Sequence, residues 1–162
     1  MLFRSYYNND PDNGVIYGKL YNWYAVNDPR GLAPNGWHIP TYNEWTDLEN
    51  YLSENSIYWC NNNSTYISKA LAANELWLNS TYDCAVGNNL SANNSTGFSY
   101  LPGGLCYGNG TFYGIEYLGN FWLATEYSET WAWRISVLND HSKIDRYYNR
   151  NNMGFSIRCL RD

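Results

Sequence analysis

Basic clusters, long apolar runs and metal-spaced ligands are all missing from this sequence, and each absence removes a class of function. Ten Lys and Arg are outnumbered by 15 Asp and Glu, for a formal charge of −5. No Lys/Arg stripe offers contacts to a phosphate backbone, so nucleic acid is not an expected partner. No apolar run approaches the ~20 residues that span a bilayer, and no membrane span is expected. The opening MLFRSYYNND turns polar too early for a secretory leader, so none is read in the chain as given. The two histidines, His38 and His141, lie far apart, and neither is followed by a second ligand at metal spacing; no zinc site is expected. A Gly-rich phosphate loop with its Lys is missing, and so is a nucleophile elbow for a Ser-His-Asp site. No catalytic residue is therefore assigned, and the chain is read as a non-enzyme.

Cysteine is sparse too. Cys60, Cys84, Cys106 and Cys159 permit three pairings, and none sits in a CxxC or a metal-like cluster. Cys60 and Cys84 bracket a polar, Asn-rich excursion, and a disulfide closing it is the candidate pairing. Such a bond stabilises by about 3 kcal/mol on the chain-entropy model. The alternative is four reduced, buried thiols. Cys106 with Cys159 is a second candidate pair.

Aromatic residues are abundant: 19% of the chain, with 17 Tyr and 8 Trp, more than packing alone requires. Tyr and Trp give broad, stiff, amphipathic contact area at low entropic cost, which suits binding surfaces. The Trp side chains read mostly as core, and Tyr clustered with Asn and Ser reads as surface. At 162 residues one domain is expected, 1–162, long enough to bury a core without staples.

Along the chain, Asp10-Pro11-Asp12-Asn13-Gly14 is a turn signal. Residues 15–26 suggest a strand followed by a helical turn. Thr41-x-x-Glu44 is a capping box, with Pro40 just before it, and Trp45, Leu48 and Leu52 place one apolar stripe on the helix that follows. A second helix is predicted over 66–73, with Ile67, Ala70 and Leu71 inward. Residues 79–97 are loop, rich in Asn, Ser, Thr and Gly, and a loop this long is functional or tied down. A structural calcium ion held there by side-chain oxygens is one way to tie it.

The C-terminal third reads as three short antiparallel strands. Trp133, Ile135 and Val137 alternate with Arg134, Ser136 and Leu138; Asn139-Asp140-His141-Ser142 is a turn; Lys143, Asp145 and Tyr147 alternate with Ile144 and Arg146; Phe155, Ile157 and Cys159 close the chain. One face is predicted apolar and the other polar. The polar face and turns give the candidate ligand-binding residues: Tyr127, Arg134, Ser136, Leu138, Asn139, Asp140, His141, Asp145, Tyr147, Tyr148, Asn149, Asn151 and Asn152. Tyr147 and Tyr148 supply aromatic anchors, and Asn and Ser supply adaptable hydrogen bonds.

Five ordered motifs carry a resemblance: YGKLYNWYAV (17–26), GLAPNGWHIPTYNEW (31–45), TGFSYLPGG (96–104), FWLATEY (121–127) and GFSIRCLRD (154–162). Together they resemble the Fibrobacter succinogenes major paralogous domain family. Met153 and Leu123 depart from the residues common there. The resemblance implies an α+β, C-type-lectin-like fold of the formylglycine-generating-enzyme branch: two helices, a small antiparallel sheet and long loops. It also implies kinship with variable proteins of diversity-generating retroelements, in which adenine-directed reverse transcription rewrites the C-terminal coding segment, here about 117–153.

The genetic logic bears on particular residues. Changing the first two bases of AAC or AAT yields Tyr, His, Asp, Ser, Leu, Arg and others, and never a stop. Arg134, Ser136, Leu138, Asn139, Asp140, His141, Asp145, Tyr147, Tyr148, Asn149, Arg150, Asn151 and Asn152 are reachable that way; Trp131, Trp133, Lys143 and Met153 are not. The implied function is ligand or receptor recognition by a diversified surface on a fixed scaffold. The implied setting is the cell surface, the secreted fraction or a virion, with a protein or cell-surface ligand. A non-diversified glycan-binding adhesin domain of a surface or phage-tail protein is the alternative, and a passive structural domain a further one. Formylglycine-generating relatives use a reactive thiol pair late in the chain. No Cys lies between Tyr107 and Arg158, so that chemistry is not carried over.

Overall fold

The capping box forms as its spacing predicts. Thr41 Oγ1 accepts from the Glu44 N–H at 3.3 Å, and the Glu44 carboxylate accepts from the Thr41 N–H at 2.8 Å. It starts the longest helix of the chain. The structure, a computed structural model, describes residues 3–162. In order, the elements are β1 (Arg4–Ser5), α1 (Pro11–Tyr17), β2 (Leu20–Asn22), α2 (Trp23–Val26), β3 (Trp37–His38), α3 (Tyr42–Glu54), α4 (Ser68–Leu71), β4 (Gly103–Cys106), β5 (Phe112–Ile115), β6 (Leu118–Ser128), β7 (Trp131–Leu138), β8 (Asp145–Arg150), β9 (Gly154–Phe155) and β10 (Leu160–Arg161). This is an α+β architecture with antiparallel sheets.

Three sheets form, with orders β1-β2-β9-β4-β5, β10-β3 and β6-β7-β8. In the first, Gly154 pairs with both Asn22 and Cys106. A Cβ there would meet Cys106 Cβ at 3.0 Å, a tight contact that glycine avoids where three strands close up. The second sheet is clasped by His38. Its Nδ1 lies 2.6 Å from an Asp162 carboxylate oxygen, and its Nε2 lies 2.8 Å from Glu44. The hydrogen bond to Asp162, then that to Glu44, raises the His38 pKa above its ordinary 6.5.

The third sheet is walled on both faces over half its length. Trp45, Leu52, Phe121, Leu123, Ile135 and Val137 join one buried cluster, which α3 covers. Trp23, Leu105, Leu118, Trp122, Ala132 and Phe155 form a second on the other face. The predicted polar face of β7 is thus a covered face. Ala132 and Leu138 pack into the second cluster, and Ser136 is buried between them.

Other sequence expectations shift as well. The Asp10-Pro11 signal starts α1 instead of a simple turn: Asp10 accepts from the Asp12 N–H at 3.0 Å, and Pro11 takes the first helical position. The predicted 66–73 helix shrinks to the single turn of α4, although Ile67, Ala70 and Leu71 do point inward. The third predicted strand breaks in two. β9 joins the first sheet and β10 the second, and β6 becomes the partner of β7. Residues 15–26 hold the predicted strand and helical turn, β2 and α2.

The long loop is tied in two ways. Cys60 and Cys84 form a disulfide, while Cys106 and Cys159 are free thiols. Lys69, 9% exposed, aims its ammonium at the carbonyls of Ala85, Asn88 and Asn89. Burial lowers its pKa to about 8. The ammonium thus ties the loop through its backbone carbonyls. Asn93 adds bonds to the Ala73 and Val86 carbonyls at 2.9 and 3.1 Å.

Candidate ligand-binding surface

The β6–β7 hairpin projects beyond both buried clusters. Along β6, residues 118–123 are buried, whereas Glu126, Tyr127 and Ser128 are exposed. The register sets Trp133 opposite Tyr148 and Trp131 opposite Arg150, so these four share one face. Aromatic side chains gather there. Tyr127 and Tyr148 stack in parallel, 3.8 Å between centroids and 2° between planes. Trp133 meets Tyr127 and Tyr148 edge-on at 5.3 and 5.5 Å, and Trp131 meets Tyr148 edge-on at 5.9 Å. Arg150 lies 5.5 Å over the Trp131 ring. A hydrogen bond to the Tyr148 phenol raises the Tyr127 pKa.

Beneath this patch, Tyr42 of α3 packs on Trp133 at 4.8 Å. Arg146 spans from β8 to the helix, bonding Glu49 at 2.6 Å and Thr46 at 2.8 Å and covering the Tyr42 ring. The patch is thus seated on α3. Tyr127 and Tyr148 remain 49% and 44% exposed, enough to meet a partner.

Tyr147 is equally exposed and faces the other way. It lies across from Arg134 in the register, and the Arg134 guanidinium sits 5.0 Å over its ring. Arg134 itself is half-buried and committed to neighbours within the chain. It bonds the side-chain oxygens of Asn120 and Asn149 and covers Phe155 at 5.1 Å. Burial lowers its pKa. It bridges β6, β7 and β8 as an internal brace.

Several other candidates are corrected in the same way. Ser136, Asn139 and Asn151 are 2%, 6% and 1% exposed. The Asn139 side-chain amide donates to the Leu78 carbonyl at 3.2 Å, and the Asn139 backbone carbonyl accepts from the Gly87 N–H. The Asn151 side chain donates to the Glu129 carbonyl at 3.3 Å, while its backbone joins Thr130 and Trp23. Both satisfy buried backbone groups, work for which Asn is as well suited as for a surface. Leu138 packs into the second cluster. Asn149 is half-buried under Arg134.

The remaining candidates do not meet in one place. Asp140 and His141 pair at 2.8 Å in the β7–β8 turn, at the opposite end of β7 from Tyr127. Eight strand residues separate the two ends, roughly 25 Å. Asp145 is half-buried and Asn152 exposed. The structure thus gathers Tyr127 and Tyr148 and adds Trp131, Trp133, Arg146 and Arg150. Sequence reading assigned the Trp residues to core. The Trp-x-Trp alternation, in phase with Tyr148 across the hairpin, is the signal that could have placed them.

A cavity of about 480 Å³ shares no lining residue with this surface; Phe3, Tyr21, Ala25 and Leu32 line it together with Arg4, Asp28 and Arg30. Arg30 is committed to Asp28, at 2.8 and 2.6 Å. Among the described residues no group of three or more His, Cys, Asp or Glu could hold a metal ion. No helix among them is long and apolar enough to cross a membrane.

The chain matches the Fibrobacter succinogenes major domain over residues 3–161 and belongs to that family. No curated protein and no solved structure matches it.

Proposed function

We propose that this member of the Fibrobacter succinogenes major domain family is a ligand-binding domain, in which a fixed scaffold presents a changeable recognition surface near its C-terminal end. The observation that carries the reading is the aromatic patch of exposed Tyr127 and Tyr148 with half-buried Trp131 on a sheet whose other end is locked between two cores. Stiff rings on a held backbone reduce the ordering cost of binding. The partner in this reading is a protein or cell-surface ligand, and the scaffold is of C-type-lectin-like type. No catalytic role is assigned. The Cys60–Cys84 disulfide is consistent with an oxidising, extracytoplasmic setting: cell surface, secreted or virion-associated.

The reading includes diversification by a retroelement, and burial sharpens what that requires. Adenine-rich AAY-derived codons belong at exposed positions such as Tyr127, Tyr147, Tyr148 and Asn152. They do not belong at Ser136, Asn139 or Asn151, where a random residue would enter the interior. Sequencing the coding DNA and its neighbourhood tests this. A reverse transcriptase with a template repeat differing at adenines over the exposed positions supports diversification; differences spread equally over the buried ones contradict it.

A glycan-binding adhesin is the second reading, favoured by the stacked, half-exposed Tyr127 and Tyr148 rings, flat surfaces of the kind that stack on sugar faces. Glycan-array binding lost in Tyr127→Ala would favour it; loss on calcium removal would show that an ion takes part.

A further inference from the structure

The outer edge of the three-stranded sheet is open, and its chemistry specifies what can add to it. β8 pairs with β7 alone. The Asn151 N–H donates to the Thr130 carbonyl at 2.9 Å, which continues the β7–β8 register by one pair. Hydrogen-bonded pairs alternate along an antiparallel ladder. Asn149, Tyr147 and Asp145 therefore bond β7, while Arg146, Tyr148 and Arg150 turn their N–H and C=O groups away from it. Among the described residues, only the Arg150 carbonyl finds a backbone donor on that side, Met153 N–H at 3.0 Å. The register has no bulge, so nothing twists this edge out of use.

We propose that this edge is a docking site for an extended, acidic segment of a partner protein, which adds as a further strand beside β8. The inference rests on the binding-domain reading above and names the kind of partner. The side chains at the outward-turned positions lie on the aromatic-patch face. A strand added in register sets its own residues i, i+2 and i+4 opposite Arg150, Tyr148 and Arg146. Arg150 has no carboxylate partner among the described residues, and Lys143, just before β8, has only the Tyr66 ring at 6.0 Å. Arg146 is already paired with Glu49, so the positive charge this edge offers a partner is that of Arg150 and Lys143. The fitting pattern sets an acidic residue opposite Arg150 and, after a spacer, an aromatic or aliphatic residue opposite Tyr148; an acidic residue opposite Arg146 adds less, because Glu49 already pairs with it. Main-chain bonds would supply affinity, and alternate side chains specificity.

A second copy of the chain fits less well. The two-fold pairing that uses all three outward residues centres on Tyr148, and it sets Arg146 opposite Arg150 twice. Like charges directly opposite destabilise a ladder.

The test uses the whole chain and two blocked peptides, Thr-Glu-Thr-Tyr-Thr-Glu-Thr and its counterpart with Lys for Glu. Affinity and backbone amide exchange are followed by NMR. The Glu peptide is expected to bind about tenfold more tightly at low salt. It should slow exchange at the Arg146 and Tyr148 amides and leave Tyr147 unchanged. Arg150→Glu should shift the preference toward the Lys peptide. Tyr148→Thr removes the ring and keeps a strand-forming residue, so amide protection there should persist with weaker binding. Equal affinity for the two peptides overturns the proposal, as does binding without protection at residues 146 and 148. Concentration-dependent protection without peptide would mean that the edge takes a second copy, and would also overturn it. None of these failures touches the aromatic patch, whose own test is ligand loss in Tyr127→Ala.

Discussion

The two ends of one sheet behave as different materials. At the inner end, Phe121, Trp122, Leu123, Ile135 and Val137 are at most 1% exposed, with a core on each face. At the outer end, the first of these strands, β6, carries Glu126, Tyr127 and Ser128 in contact with water. A single hairpin thus joins closely packed positions to solvent-exposed ones. Continuous backbone pairing lets the first hold the second in place, because the outer residues inherit a register fixed by inner packing.

That contrast breaks most sharply at Trp122, which fills the second cluster and donates its ring N–H to the Tyr21 carbonyl at 2.8 Å. Trp122→Ala should cost about 3–5 kcal/mol, read by denaturant unfolding. A cost near zero would mean that the inner end is not the anchor. Replacing Cys60 and Cys84 together by Ser should cost about 3 kcal/mol and loosen 79–97 first, read by limited proteolysis. At the outer end, Tyr127→Ala with Tyr148→Ala should cost only about 1 kcal/mol, the scale of one aromatic pair. It should nonetheless abolish ligand capture.

The smallest effect is expected at His38. Its raised pKa means that the clasp to Asp162 and Glu44 is at full strength below the unfolded value of 6.5 and fades as pH climbs through the folded one. The Tm difference between the native chain and His38→Gln should therefore shrink from pH 6 to pH 9. It should shrink again in acid, because Glu44, held low by the Thr41 backbone bond, must stay ionised. A constant difference would mean that the imidazole carries no linkage.

Local chemistry was legible in the chain. The capping box, the Trp45-Leu48-Leu52 stripe and the Cys60–Cys84 closure depend on residues near one another or on one pairing. The covering of the polar face of β7 was not. It comes from Trp23, Leu105 and Phe155, all distant in sequence, and no alternation within 131–138 reports it. Asn139 and Asn151 were misplaced for a related reason. An Asn side chain looks the same in sequence whether it meets water or a buried carbonyl. Tyr147 and Tyr148 were read as one pair of anchors, yet adjacent strand residues point to opposite faces, so they belong to two surfaces. Tyr127 and Tyr148 met because the β6–β7 hairpin was in register, and that pairing was not drawn from the sequence.

The central claim is that the outer positions can change while the inner ones cannot. Two randomised libraries of the full chain, displayed and sorted for folding by protease resistance, measure it directly. One varies Tyr127, Tyr147, Tyr148 and Asn152; the other varies Ser136, Asn139 and Asn151. The account predicts that most members of the first survive with Tm near the native value and that few of the second do. Equal survival of the two libraries, or collapse of the first, would contradict it.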